Sequence, residues 1–388
     1  MKRHLALALV LGLALPGFAL GQSKPAVKAA APGSSSEAQP SQTSFTALKA
    51  RLVADGVPQG EVQSVFSKPG VAFTPDPMGK KLLEMYTAKY GSDVVRKLQA
   101  RLTALDYFFG QPNGRPDYPF RNGVRAFQRD HGLTPDGRYS LDMLTLAEQE
   151  QQKASAGTRQ ELKALADKGP PDVYEAILTP ERLAEAKEFF DANQALLEDV
   201  RARYGVPPAV AVGLLTVETR AGKFLGDNLA VNNLASMAAS NTSAGVLSLF
   251  AGESVTPERK AWLDSKAAEK AAWAYGELKA LFTYARQNRL DMASMPGSIY
   301  GAIGVSQFMP SSLLRYGVDG DGDGRVDIFN VRDAVFSMAN YLRNHGFTGD
   351  LEDEAALREA LFRYNHSQTY VNTIMAVSHS LKGGQAVP

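Results

Sequence analysis

Apolar residues recur at three- and four-residue spacing along most of this chain, and strand-like alternation of β-branched residues is scarce. In "SFTALKARLVADGV", Phe45, Leu48 and Leu52 share a helical face, and a short helical unit continues to about Tyr90. "DVVRKLQARLTALDYF" sets Val94, Leu98, Leu102 and Leu105 on one face, and "NGVRAFQRDHGL" turns Val124 and Phe127 inward. "PDG" at 135–137 marks a turn, and "SLDMLTLAEQ" supplies a third helix. Residues 91–150 therefore read as a compact three-helix module. Beyond residue 171 the helix starts are well marked. Thr179 stands as N-cap with Pro180 at the first helical position, and "TPERKAWL" at 256–263 repeats that chemistry. The fold class is mainly α.

The first residues follow a different pattern. Lys2 and Arg3 precede the apolar run "LALALVLGLAL", too short to span a bilayer, and "ALG" at 19–21 fits a signal-peptidase site. Cleavage before Gln22 is expected, leaving a soluble, exported and periplasmic protein; an uncleaved short anchor is the alternative. Residues 22–43, opening "QSKPAVKAAAPGSSSEAQPSQ", have the composition of a disordered linker. The expected organisation is a signal peptide (1–21), this linker, an N-terminal helical segment belonging to the main unit (44–90), the module (91–150) and the main domain (151–388).

Composition narrows the chemistry. The net charge of +1 over 388 residues gives no electrostatic case for nucleic acid. With no cysteine, disulfides, thiol catalysis, Cys-ligated zinc and lipidation at the cleavage site are excluded, and the five histidines form no His-x-x-x-His pair.

Four stretches carry candidate chemistry. In "GLLTVETRAG" (213–222), Ala211, Leu214, Leu215 and Glu218 fall on one helical stripe after Pro208, and Gly222 lets the chain turn out. A carboxyl in apolar company has its pKa raised, which suits a general acid; pairing with an arginine such as Arg220 is the bland alternative. "GSIYGAIGVSQFMPSS" (297–312) removes side chains at Gly297, Gly301 and Gly304, while Ser298 and Gln307 can hydrogen-bond a polar ligand. Ser306 sits in "GVSQF", a poor match to a nucleophile elbow because Phe308 stands where glycine is needed. "DGDGDGRVD" (319–327) places Asp319, Asp321 and Asp323 at positions 1, 3 and 5 of a calcium loop, with Gly324 at 6 and the Arg325 carbonyl at 7. Asn330 occupies the usual closing position, and Asp333 could close a longer loop; a solvated acidic turn is the alternative. "RYNHSQTY" (363–370) offers Tyr364, Asn365 and Tyr370, flat faces and hydrogen bonds of the kind sugars need.

Together, "ETRAG", "GSIYGAIGVSQFMPSS", "VDGDGDGRVDIFNVRDAVFSMANYLRNHGF" and "YNHSQTY" resemble the B-type lytic murein transglycosylases in order and spacing. The resemblance covers about 171–388, with a weaker echo at 44–90. "VRKLQARLTALDYF" and "VRAFQRDHGLTPDGRYS" resemble a peptidoglycan-binding domain, here inserted, with Asp106 where that family usually has glycine. Residues 227–262 depart from the transglycosylase pattern.

The resemblance implies a lysozyme-like catalytic domain acting on peptidoglycan glycan strands, with Glu218 as single acid/base. It implies a glycan cleft lined by Ser298, Gln307, Phe308, Tyr341, Tyr364, Asn365 and Tyr370. It also implies a structural calcium ion held in an EF-hand-like loop by Asp319, Asp321, Asp323, the Arg325 carbonyl and Asp333. The reaction expected is cleavage between N-acetylmuramic acid and N-acetylglucosamine without water, leaving 1,6-anhydro ends. A hydrolytic muramidase, with Asp227 as the nearest second carboxylate in sequence, and a non-catalytic wall-binding protein are the alternatives.

Overall fold

The computed structural model describes residues 45–347 and 353–383; the targeting segment and the linker lie outside them. The described chain divides into two compact units. One comprises residues 45–74, 173–239 and 274–383, the other residues 75–172 and 240–273. The segment from Pro75 to Tyr90 thus groups with the module that follows it, and so does most of the stretch that departs from the family pattern.

In chain order, α1 (Thr46–Ala54) and α2 (Gln59–Phe66) open the first unit. The second unit begins with α3 (Asp76–Tyr90), then α4 (Asp93–Ala104), α5 (Tyr118–Asp130) and α6 (Leu141–Gln149). Ser92, Asp117 and Ser140 cap the last three through their side chains. The expected inward face of α4 is buried at Val94, Leu98, Leu102 and Leu105, with Val124 and Phe127 of α5. A further helix, α7 (Ala156–Lys168), packs on α5 and adds Leu162 to this core, so the module extends past residue 150. Asp106 has φ 63°, a left-handed conformation that explains the family's preference for glycine there.

Two turns in this unit are built alike. Buried Gln99 accepts from Gly114 N and donates to Asn113 Oδ1 and the Arg115 carbonyl. Gln128 does the same with Gly137 N, Asp136 Oδ1 and the Arg138 carbonyl. The repeated Val-Arg-x-x-Gln and Asn/Asp-Gly-Arg strings are the sequence trace of this duplication.

The first unit resumes with α8 (Pro180–Ala192), α9 (Gln194–Tyr204), α10 (Pro208–Thr219) and α11 (Ala230–Ala239). The long α12 (Pro257–Asn288) starts in one unit and ends in the other. α13 (Pro310–Tyr316), α14 (Val331–Asn344), α15 (Glu354–Tyr364) and α16 (Gln368–Leu381) complete the chain. Every residue of α10 from Ala209 to Thr219 is buried, so the single inward stripe expected for it gives way to burial all round, as in a central helix. Its main neighbour is α16, with α8 and α9 also against it. Two short strands, β1 (Asn228–Leu229) and β2 (Pro296–Gly297), pair antiparallel.

Candidate active site and acidic loop

The central helix α10 ends on a carboxyl group. Glu218 is 8% exposed. Its Oε1 accepts a 2.5 Å hydrogen bond from the Tyr370 hydroxyl, and its buried Oε2 has no partner among the described residues. Burial pushes the carboxyl pKa up to about 8, against the opposing pull of the Tyr370 bond. Among the described residues no arginine takes part. Arg220, the sequence alternative, instead bonds Glu185 through Nε at 3.1 Å and Nη2 at 2.5 Å.

The turn after Glu218 is strained. Arg220 and Ala221 have φ of 55° and 54°, ahead of Gly222 at 89°. Non-glycine residues in this region cost roughly 1 kcal/mol or more each and persist only where other contacts hold them. The Arg220–Glu185 pair is one such contact. Thr219 is another: its hydroxyl donates to the Val305 carbonyl at 2.6 Å and accepts from Gly222 N at 3.0 Å. Neither feature was legible from sequence, where Gly222 alone accounts for the turn.

Val305 belongs to the glycine-rich stretch, which folds back on itself. Ile303 and Phe308 exchange backbone hydrogen bonds of 2.9 and 3.0 Å, and Ser298 N donates to Ala302 O at 2.8 Å. At Gly304 (φ 76°) an added Cβ would lie 2.5 Å from the Ile328 carbonyl oxygen, so close backbone approach demands glycine. Ser298 Oγ accepts from Ala302 N, and Asn233 holds the Ser298 carbonyl at 2.9 Å. Gln307, itself left-handed at φ 48°, donates to the Gly304 carbonyl. Ser306 is fully buried and has none of the exposure a nucleophile elbow provides.

Aromatic side chains gather around Phe308. Its ring meets Tyr341 and Tyr364 edge-on at 5.8 and 5.9 Å, and Tyr341 stacks on His345 at 3.8 Å. The Tyr364 hydroxyl donates to the Ser306 carbonyl at 2.5 Å, and burial holds its pKa well above the usual range. Burial, then the Glu218 charge, does the same for Tyr370, so both hydroxyls remain donors. Asn365 is buried at the end of α15. Tyr174, unmarked in the sequence, reaches Ser367 Oγ at 3.2 Å beside this cluster.

In the acidic loop, carboxylate oxygens of Asp319, Asp321 and Asp333 lie within 4.8 Å of one another. Asp323 is not in that group; its Oδ1 accepts from Arg325 N at 2.8 Å. Asp333, 1% exposed in the first turn of α14, accepts from Gly320 N and Asp327 N, and burial raises its pKa. Backbone amides, led by Gly324 N, hold the Asp319 carboxyl below its ordinary value.

Comparison with known proteins identifies both parts of the chain. Residues 138–359, more than half of it, match the transglycosylase SLT domain, and residues 91–146 match a peptidoglycan binding domain. The chain belongs to the transglycosylase SLT family, a mainly α, lysozyme-like fold. It is 31% identical over 170 residues to membrane-bound lytic murein transglycosylase B of Escherichia coli, covering 44% of this chain and 40% of that protein. It therefore spans well under half the length of that curated relative. Pseudomonas aeruginosa SltB3, solved with NAG-anhNAM-pentapeptide, matches with TM-score 0.51 and 16% identity, over 87% of this chain and 78% of that one. The Escherichia coli lytic transglycosylase Slt35, solved with calcium, matches with TM-score 0.43 and 20% identity, over 69% and 93%.

Proposed function

We propose that this protein is a lytic transglycosylase that cleaves the bond between N-acetylmuramic acid and N-acetylglucosamine in peptidoglycan without water. The observation that carries this reading is the setting of Glu218: one buried carboxyl whose pKa burial pushes up to about 8, with one oxygen bonded to Tyr370 and the other without a partner among the described residues. Its pKa shift has two causes, burial and the Tyr370 hydroxyl, and no second carboxylate stands among them. Asp227, the sequence candidate for a hydrolytic partner, is exposed.

A single carboxyl suffices for a reaction that closes a ring on the substrate. Glu218 gives its proton to the glycosidic oxygen as the bond to C1 breaks. The substrate's N-acetyl group stabilises the cationic centre. Deprotonated Glu218 then takes the C6 hydroxyl proton, and O6 bonds to C1. The proton count closes and no water is consumed, whereas hydrolases of this kind generally work with two carboxylates. Tyr370 steadies Glu218, while Ser298, Gln307, Phe308, Tyr341, Tyr364 and Asn365 supply the surrounding polar and aromatic surface. Digestion of purified sacculi in H2¹⁸O, read by mass spectrometry, tests this reading: anhydro products without ¹⁸O are expected, and labelled reducing ends would establish a muramidase.

Three further assignments accompany it. The second unit adheres to the sacculus, and the protein works in the periplasm after export. The acidic loop holds calcium. Ligands at 2.3–2.6 Å from one calcium ion lie at most roughly 5 Å apart, as the oxygens of Asp319, Asp321 and Asp333 do. Bound there, the ion would neutralise the three charges and tie α14 to the loop before it.

A further inference from the structure

A groove of about 550 Å³ lies within the unit that carries the peptidoglycan binding module. That volume is in the range of small-ligand sites, roughly 300–1,000 Å³. Leu83, Thr87 and Ala88 of α3 form part of its lining at helical spacing, and Pro116 and Tyr139 contribute from the module. Lys80, Arg115 and Arg121 also line it, against two acids, Glu84 and Asp117. Both acids are engaged: Glu84 pairs with Lys81 at 3.0 Å, and Asp117 caps α5 through Phe120 N. Arg121 is engaged as well, donating to the Pro116 carbonyl at 3.0 Å.

Arg115 differs. It is exposed, and its guanidinium has no hydrogen-bond or ion-pair partner among the described residues. The duplicated turn shows why. In the second copy, Arg138 pairs with Asp136 at 3.5 Å. In the first copy the equivalent position is Asn113, which keeps the turn's hydrogen bonds but carries no charge. The substitution leaves a cation without a counter-ion at the edge of a largely apolar groove.

We propose that this groove binds the peptide stem of peptidoglycan, with Arg115 holding a stem carboxylate. The proposal rests on the reading that this unit adheres to peptidoglycan. The stem is short, its alanine methyls suit an apolar lining, and its carboxylates outnumber its ammonium groups. A guanidinium recognises a carboxylate through two parallel hydrogen bonds, whereas the hydroxyl and N-acetyl groups of the glycan are neutral and the lactyl carboxyl of N-acetylmuramic acid is taken up in the amide to the stem. Because α3 lies outside the matched segment 91–146, the module alone would carry only part of the site.

The test uses the full chain carrying Glu218→Gln, so that no substrate is consumed. It is titrated with the tetrapeptide L-Ala–γ-D-Glu–meso-diaminopimelate–D-Ala, and separately with chitotetraose. Arg115→Glu should weaken the peptide by about tenfold or more, the scale of one charge-assisted pair. Arg115→Lys should weaken it less, and chitotetraose should bind all three proteins equally, which also confirms folding. Unchanged peptide affinity in Arg115→Glu, or no peptide binding by a protein that still sediments with sacculi, would overturn the groove assignment alone. Failure to sediment with intact sacculi would remove the reading of the whole unit as well.

Discussion

Glu218 and the acidic loop use the same functional group to opposite ends. At the end of α10 a lone carboxyl is enclosed by apolar neighbours, and burial drives its pKa up to about 8. In the loop, Asp319 stands half-buried under backbone amides that pull its pKa down. The first environment offers a negative charge little beyond the Tyr370 hydroxyl, so burial wins and the protonated form is favoured. The second gathers three carboxylates and turns backbone amides toward each of them, an arrangement that would favour a cation between them. Surroundings, rather than residue type, set the carboxyls of Glu218 and Asp319 apart: burial raises the pKa of one, and backbone amides lower that of the other.

The largest effect that can break this contrast is Glu218→Gln. The amide keeps the shape and cannot donate a proton, so turnover on sacculi should fall by at least the ~10²–10⁴-fold typical of general acid–base catalysis. Residual activity above about a tenth of wild type would exclude the assignment. The same variant reports the buried proton. Native Glu218 holds its proton to about pH 8, whereas the unfolded chain releases it near the ordinary value of 4.5. The native state therefore binds more protons in that window, and stability must fall as pH rises through it. Wild type should lose up to about 1.4 kcal/mol per pH unit relative to Glu218→Gln in denaturant melts, and equal slopes would show that the carboxyl is not shifted.

Tyr370→Phe sharpens the comparison. The tyrosine bond lowers the Glu218 pKa against the effect of burial, so its removal should move the alkaline limb of kcat/KM upward. Loss of positioning should also lower kcat by roughly tenfold. A limb that moves down, or a change confined to KM, would show that Tyr370 contacts substrate rather than the acid.

On the loop side, calcium should raise the Tm of chelator-stripped protein by mass action. Asp333→Ala should abolish that rise. It should also lower the Tm in chelator, because the amides of Gly320 and Asp327 lose their acceptor, at about 1–3 kcal/mol for each group left buried and unpaired. Identical melts with and without calcium would return the three aspartates to a solvated turn.

What the sequence revealed follows a physical division. Helix caps and the apolar face of α4 depend on local spacing, and Thr179, Pro180 and Pro208 stand where the pattern places them. Glu218 stood out because a carboxyl breaks an apolar run. The Tyr370 bond spans 152 residues and the Thr219–Val305 bond 86, distances over which spacing carries no information. Left-handed Arg220 and Ala221 escaped notice for a related reason. Glycine announces such a conformation, but a non-glycine held there by Glu185 and by the Thr219 hydroxyl does not.

Asp323 provides the smallest effect and the finest discrimination. Alternation along the loop places it beside Asp319 and Asp321 as an equal ligand. In the folded loop its carboxylate turns back to Arg325 N, while Asp333 comes from α14 to join the other two. Calcium loops tolerate a lost peripheral donor better than a lost central one, because water can fill the vacant position. Asp323→Ala should therefore keep most of the calcium-induced rise in Tm, while Asp321→Ala, which removes a member of the convergent group, should lose it. If the two variants respond alike, calcium draws Asp323 inward on binding, and the loop closes around the ion rather than standing ready for it.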